Sequence, residues 1–210
     1  MINVFIPAFV TLFVIIDSVG LMPIFAALSR DMEAAHRRVM AIRGSLVATG
    51  VLLLFALLGD ALLSTFGITL AAFRIAGGLL LFSTAFEMIF EFRAKRRSRT
   101  AECAATERPK VADDISVVPL AIPFIAGPGA ITTVILLMTE RDGNLMHQGV
   151  VIAALLSVMA ITYVLLELSG WFVRFAGTTM TTVITRLLGI ILAALAVQFI
   201  IDGVREAVLG

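Results

Sequence analysis

The chain has 210 residues, is 60% hydrophobic and carries a formal net charge of +1, with a mean hydropathy of +1.06; a soluble domain of this size holds about 45–50% apolar residues. The apolar excess lies in long runs that leave no room for a separate soluble domain, and no nucleic-acid partner is expected. The single cysteine, Cys103, excludes an internal disulfide, and with only His36 and His147 beside it no metal-ligand spacing exists.

A helix needs about 20 mostly apolar residues to cross the hydrocarbon core, and six stretches approach that length. The first runs from Asn3 to Leu28 with Asp17 as its only charge. Met1 to Ile16 has no basic leader and no small-residue cleavage motif follows, so this segment is expected to be retained as a span. The second runs from about Arg43 to Leu63 and the third from about Leu70 to Phe90. A polar segment then intervenes, Phe92 to Ser116, rich in Arg, Ala, Thr, Glu and Asp; without an apolar period it reads as a cytoplasmic linker. The fourth span runs from about Val117 to Thr139, the fifth from Gln148 to Leu168 and the sixth from Val183 to Arg205. Each run is continuous, whereas a membrane strand would alternate over about ten residues. The predicted class is therefore an all-α membrane protein.

Basic residues set the orientation. Arg30, Arg37, Arg38 and Arg43 follow the first span. Arg93, Lys95, Arg96, Arg97, Arg99, Arg108 and Lys110 follow the third, and Arg174 and Arg186 the fifth. These are 13 of the 16 basic residues, with Arg74, Arg141 and Arg205 on the other side. The bias predicts a multi-pass protein of a bacterial inner (plasma) membrane with both termini periplasmic. The run Arg93 to Arg99 can also serve as a lipid-headgroup patch, although the positive-inside bias explains it more simply.

The halves resemble one another. Phe73-Arg74-Ile75-Ala76-Gly77 and Thr185-Arg186-Leu187-Leu188-Gly189 share the pattern x-R-[IL]-x-G; Gly67 and Gly177, Gly59 and Gly170, and Gly20 and Gly127 recur at nearly the same offset. Three spans per half make the second half enter from the opposite side. The expected architecture is six transmembrane helices as two inverted three-helix repeats, residues 1–92 and 117–210, joined by the linker 93–116. Such repeats typify secondary transporters, with the site between them near the midplane.

Helix breakers fall in the first span of each half: Asp17-Ser18-Val19-Gly20-Leu21-Met22-Pro23, and Pro119-Leu120-Ala121-Ile122-Pro123-Phe124-Ile125-Ala126-Gly127-Pro128-Gly129-Ala130. Proline removes a backbone donor and clashes with the preceding turn, so helices 1 and 4 are expected to be broken. Broken backbone is tolerated at membrane depth where it lines a cavity. A half-helix N-terminus offers bare N–H groups to a carboxylate, and a C-terminus offers carbonyls to an ammonium or small cation. The simpler reading is a pair of proline kinks used for packing. Asp17, costly at bilayer depth, is either a cap for the following turn or a ligand- or proton-handling group. The candidate substrate-binding residues are Asp17, Ser18, Gly20, Pro23, Pro123, Gly127, Pro128, Gly129 and Thr132. Thr133 also flanks the second break, and any of these hydroxyls can instead bond its own helix. Glu87 and Gln198 occupy similar places in the two halves, Asp202 is placed to pair with Arg205, and small-residue pairs such as Gly189 and Ala193 are expected to pack helices closely.

At these residues the chain resembles the MarC family, six-span proteins also classed with neutral amino-acid transporters. The resemblance spans nearly the whole chain and rests on Asp17 through Phe25, Phe66-Gly67-Ile68, Phe73 through Gly78, Val118 through Pro123 with Ala126 through Thr132, and Arg186 through Gly189. The family's first motif usually has proline where this chain has Ser18. The resemblance implies uptake or exchange of small neutral amino acids such as glycine and alanine, with spans 1 and 4 forming the site.

The leading functional reading is thus an ion- or proton-coupled carrier of a small zwitterion. Its partners are the bilayer and the amino acid, and it has no cofactor beyond a coupling proton or Na+. A membrane-embedded enzyme would need a nucleophile with a base, or metal ligands, and no His or Cys lies at depth. A passive channel or an accessory subunit is the alternative.

Overall fold

The computed structural model describes residues 2–29, 32–90, 116–139 and 145–209, and for residues 116–119, 123, 173–179 and 209 it describes the backbone alone. The linker expected over 93–116 lies outside the described residues except for Ser116. Helices α1 (Ile2–Ile16) and α2 (Ser18–Leu28) follow one another with only Asp17 between them. Next come α3 (Ala34–Thr65), α4 (Leu70–Ile89), a π-helix (Ser116–Ile125), α5 (Pro128–Thr139) and α6, a helical run from Leu145 to Leu209.

Local chemistry accounts for the boundaries. Helix α3 starts at Ala34 rather than near Arg43, because Ala, Arg, Met and Ile carry the helix beyond the apolar stretch with no Gly or Pro before Gly44. It ends where Gly67 adopts a left-handed φ of 65° and Ile68 N–H bonds back to Leu63 O at 2.9 Å, a glycine-terminated helix end. Thr69 then caps α4 by accepting from Ala72 N–H at 3.2 Å. Pro119 and Pro123 lie within the π-helix; a proline lacks the N–H that regular α bonding uses, which disfavours an α-helix here. The wider spacing shows in Ala126 N–H bonding Ala121 O at 2.9 Å. Pro128 occupies the first position of α5, where its missing donor costs nothing.

Among the described residues, five helical segments are long and apolar enough to cross a membrane: Ile2–Leu28, Ala34–Thr65, Leu70–Ile89, Leu145–Phe172 and Met180–Val208. Pro128–Thr139 is apolar but shorter. Its 12 residues reach about 18 Å, so a sixth passage through a core of about 30 Å requires the π-helix in series with it.

The polar loop expected between the fifth and sixth spans is helical in the structure, α6 running through it. A straight helix of 65 residues would be about 98 Å long. Contacts exclude that shape: Thr162 reaches Ser18 while Thr185 reaches Asp17, and those two threonines would stand about 35 Å apart on one rod. The run therefore doubles back between them, giving a first arm (145–172) and a second arm (180–208) that both enter the bundle.

The arms pack on α1, α2 and α4, while α3 packs on the π-helix and α5. Leu12, Ile15, Ile16, Leu21, Phe25, Leu52, Leu81, Leu120 and Ile125 are fully buried between them. Helix α5 is buried at every residue from Gly129 to Thr139 except the half-buried Ile131. By contrast α3, α4 and both arms turn large apolar side chains outward, among them Leu57, Leu79, Phe86, Val164, Leu187 and Ile190. Such a surface suits hydrocarbon and would be a liability in water. The second arm meets α4 along a seam of small residues. A Cβ on Gly78 would lie 2.8 Å from Ala196 O, and one on Gly203 would lie 2.9 Å from Ala71 O. Gly189 abuts Met88 and Ile89 in the same seam. Absent side chains thus let the backbones approach.

Candidate functional site

The junction between α1 and α2 lies at the centre of the bundle. Asp17 is 1% exposed and adopts φ 55°, ψ 52°, the left-handed conformation that Asp and Asn tolerate better than most residues. It is the one non-glycine residue with positive φ among those described. The left-handed residue lets its own carboxylate turn back and cap α2. Oδ1 accepts from Gly20 N–H at 3.2 Å and from the Thr185 hydroxyl at 3.3 Å. Gly20 is required here, since a Cβ at that position would stand 2.7 Å from Asp17 Cγ.

Ser18, the first residue of α2, is fully buried, and its Oγ lies 2.7 Å from Thr162 Oγ1. Thr162 donates its single hydroxyl proton to Val158 O at 2.8 Å, which makes Ser18 the donor to Thr162. Two adjacent residues of the junction are thereby held by two different arms of α6. The carbonyls of the last turn of α1 also face this point, with Phe13 O taken by Asp17 N–H at 3.2 Å.

The second junction lies between the π-helix and α5. Gly127 belongs to no helical turn, and the first regular bond of α5 runs from Ile131 N–H to Gly127 O at 3.1 Å. Gly129 and Ala130, both buried, therefore present N–H groups with no carbonyl one turn back. Gly129 faces α1 and α4: a Cβ there would lie 3.4 Å from Leu81 and 3.6 Å from Ile15. Ile15 stands two residues before Asp17, so the N-terminus of α5 packs on the last turn of α1.

The structure brings Asp17, Ser18 and Gly20 together at the first junction, and it places Gly129 of the second junction beside Ile15 of α1 and Leu81 of α4. Thr132 is buried but turns its methyl to α4, where it lies 2.5 Å from the position a Gly77 Cβ would take. Pro23 and Gly127 are half-buried and Pro128 is exposed. Pro123 lies within the π-helix, and only its backbone is described. Away from the centre, Gln198 donates to Asp202 at 2.9 Å, and Arg74 forms an ion pair with Glu206 between α4 and the end of α6. No group of three or more His, Cys, Asp or Glu side chains gathers to hold a metal ion among the described residues.

Thr162 and Thr185 were not singled out by sequence as site residues. Each is a hydroxyl in a strongly apolar span, and a polar side chain at membrane depth usually faces the bundle interior. That signal was present, but two threonines among many carry no spacing that ties them to a residue 144 or 168 positions away. Thr133, noted only as flanking the second break, is fully buried and its hydroxyl has no hydrogen-bond partner.

A bundle of apolar helices with an outward apolar surface and its polar groups held at the centre defines a multi-pass integral membrane protein. The chain belongs to the MarC family of integral membrane proteins, whose family model matches residues 2–208. It is 37% identical over 202 residues to the UPF0056 membrane protein MJ0972 of Methanocaldococcus jannaschii, covering 96% of this chain and 87% of that protein. It is 34% identical over 197 residues to the UPF0056 membrane protein YhcE of Escherichia coli, covering 94% and 90%. It is 33% identical over 197 residues to the UPF0056 membrane protein YvbG of Bacillus subtilis, covering 94% and 92%. No solved structure matches the chain.

Proposed function

We propose that this protein is a secondary transporter of small neutral amino acids of the glycine and alanine type. In this reading it is driven by a proton or Na+ gradient across the bacterial inner membrane, with its termini on the periplasmic side. The observation that carries the reading is a pair of buried helix junctions, at Asp17 and at Gly127, linked through α1. Asp17 and Ser18 stand on one side, the uncapped start of α5 on the other, and Ile15 packs against Gly129 between them. Interrupted helices that converge at mid-membrane supply both donors and acceptors to a small polar solute.

In this proposal spans 1 and 4 are the broken helices of two inverted repeats, residues 1–92 and 117–210, joined by 93–116. Support comes from the two interruptions occupying corresponding spans, and from α4 and the second arm of α6, the third spans of the two halves, packing together through Gly78, Gly189 and Gly203. The substrate site comprises Asp17, Ser18 and Gly20 with Gly127, Pro128, Gly129 and Thr132; Pro23 and Pro123 shape the backbone around it. With one Trp and one Tyr in the chain, a small zwitterion such as glycine or alanine is favoured over a sizeable drug that needs an aromatic-lined cavity.

Reconstituted protein in liposomes tests the proposal. Glycine or alanine uptake is expected to saturate with concentration and to respond to an imposed proton or Na+ gradient. Conductance without saturation would instead mark a channel, and no flux of either amino acid would remove the substrate assignment.

A further inference from the structure

Arginines tie the two halves of the chain together at each end of the bundle. Arg74 of α4 pairs with Glu206 near the end of the second arm. At the other end the start of α3 meets the first arm. There Arg38 donates to the Tyr163 hydroxyl, with the Glu167 carboxylate as a charged neighbour. Arg37 lies over Gly170, where a Cβ would stand 3.0 Å from its Nη1. Tyr163, Glu167 and Gly170 follow the i, i+4, i+7 spacing, so one face of the arm receives both arginines. Arg38 stands in the first turns of α3 and Arg74 follows its far end, with about 40 Å of helix between those levels.

The Arg38 end lies between the centre of the bundle and one membrane face. Thr162, bonded to Ser18, precedes Gly170 by about 12 Å of helix rise. Asp17 and Ser18 are buried, so a solute that reaches them from this end has to part elements now in contact. The seams differ in how easily they part. The second arm and α4 approach closely through Gly78 and Gly203, a close-packed contact that resists deformation. At their arginine end, α3 and the first arm meet through long side chains: Arg38 is exposed, and Arg37, Tyr163 and Glu167 are half-buried. Contacts of that kind exchange for water at small cost. One atom also opposes closure. Glu167 Oε1 is buried and accepts no hydrogen bond, a penalty that water relieves when the seam opens. Small opposing terms of this sort give the two alternative packings that a gate needs.

We infer that Arg38, Tyr163 and Glu167 form the latch of a gate between α3 and the first arm, which parts to open the Asp17 centre to the membrane face where α3 begins. The inference rests on the carrier reading above and names the seam that moves. In the orientation proposed there, that face is cytoplasmic.

The test uses the full chain in membrane vesicles of both orientations. Ser18→Cys in a Cys103→Ser background reports access to the centre, through its rate of labelling by a membrane-impermeant maleimide added to one face at a time. His36→Cys, exposed at the start of α3, marks the face concerned. Arg38→Gln and Tyr163→Phe are expected to speed labelling at position 18 from that face roughly three- to fivefold, the population change for losing one partly exposed ionic hydrogen bond. Labelling from the opposite face is expected to stay unchanged. Unchanged labelling in both variants would overturn the inference. So would a rise from both faces, or an equal rise in Arg74→Gln, since either marks general loosening. In a second measurement, Arg38→Cys with Glu167→Cys on the Cys103→Ser background is joined by a short bismaleimide. Linking is expected to cut glycine flux about tenfold or more while glycine binding stays within about threefold, and flux that survives complete linking would overturn the latch. Should the unlinked protein carry no glycine while Arg38→Gln still opens position 18 from one face, the gate stands and the amino-acid reading falls. Saturable glycine transport with labelling indifferent to Arg38 and Tyr163 gives the converse.

Discussion

Replacing Asp17 in three ways separates its two roles, because alanine, asparagine and glycine remove different parts of what it does. The residue is left-handed, caps α2 through Gly20 N–H and receives the Thr185 hydroxyl. Asp17→Ala loses the cap, typically about 1 kcal/mol, and places a Cβ-bearing residue without a compensating side chain in the left-handed region, about 1–2 kcal/mol more. The expected loss is therefore about 2–3 kcal/mol, or roughly 4–12 °C in Tm for a chain of this size. Asp17→Asn keeps a cap of nearly equal quality, accepts the left-handed backbone and carries no ionisable group at membrane depth. Asp17→Gly removes the left-handed strain and weakens the cap by only a few tenths of a kcal/mol. Both are expected within about 2 °C of the wild type. Unfolding of the purified protein, followed through Trp171, the single tryptophan, gives the ranking. An Asp17→Ala variant as stable as Asp17→Asn would refute the capping argument. Flux then reads the second role: folded Asp17→Asn and Asp17→Gly are expected to lose at least tenfold in transport. Wild-type flux in Asp17→Asn would reduce the carboxylate to a structural cap.

Glycines supply a second pair of outcomes. Gly78→Val and Gly203→Val force a side chain against backbone carbonyls at 2.8 and 2.9 Å and are expected to destabilise by about 1–3 kcal/mol in the same unfolding assay. Gly50→Ala and Gly149→Ala, where a Cβ would meet nothing within 4 Å, are expected to stabilise by about 0.5–1 kcal/mol. The Ser18–Thr162 bond is expected to show a coupling of about 0.6 kcal/mol in a double-mutant cycle of Ser18→Ala with Thr162→Val, and strict additivity would remove it as a link between α2 and the first arm. Cys103, the one cysteine, reports topology: a membrane-impermeant maleimide is expected to label it in inside-out vesicles and not in intact cells. The opposite pattern would invert the orientation read from the arginines.

The class of fold was legible because a bilayer imposes a length and a polarity on every spanning helix, and continuous apolar runs such as Leu145–Phe172 satisfy both. The end of α4 was legible for the same reason. The start of α3 was not, because hydropathy marks where the chain enters lipid, whereas helix propensity carries Ala34 through Ile42 onward outside it. The helical passage between the arms of α6 was missed because arginine and glycine near Arg174 and Gly177 read as a loop, and no proline stands there to stop a helix. At the site, Asp17 announced itself as a carboxylate in an apolar span. Its partners did not, because a hydroxyl in a membrane helix ordinarily bonds its own turn, and only coordinates distinguish Thr162 and Thr185, which reach the junction, from Thr49 and Ser157, which do not.

The two junctions reach their shapes by different means, and the difference bears on which of them can move. At Asp17 a single left-handed residue interrupts an otherwise intact run, and the carboxylate that permits the interruption also closes it by bonding Gly20 N–H. That junction is closed by its own carboxylate and tied by hydroxyls to both arms, so shifting it means breaking buried polar bonds. Between the π-helix and α5 the interruption comes from prolines and a wide-bonded helix, and glycines at 127 and 129 lower the backbone barrier. Gly127, the residue that precedes α5, has no side chain with which to cap it. In the proposed site the Asp17 junction is thus the fixed half and the Gly127 junction the adaptable half, and a solute that completes the donors of Gly129 and Ala130 would order the second against the first. Hydrogen exchange provides the measure: added glycine is expected to slow exchange at Gly129 and Ala130 more than at Gly20, and equal slowing at both junctions would argue against this division.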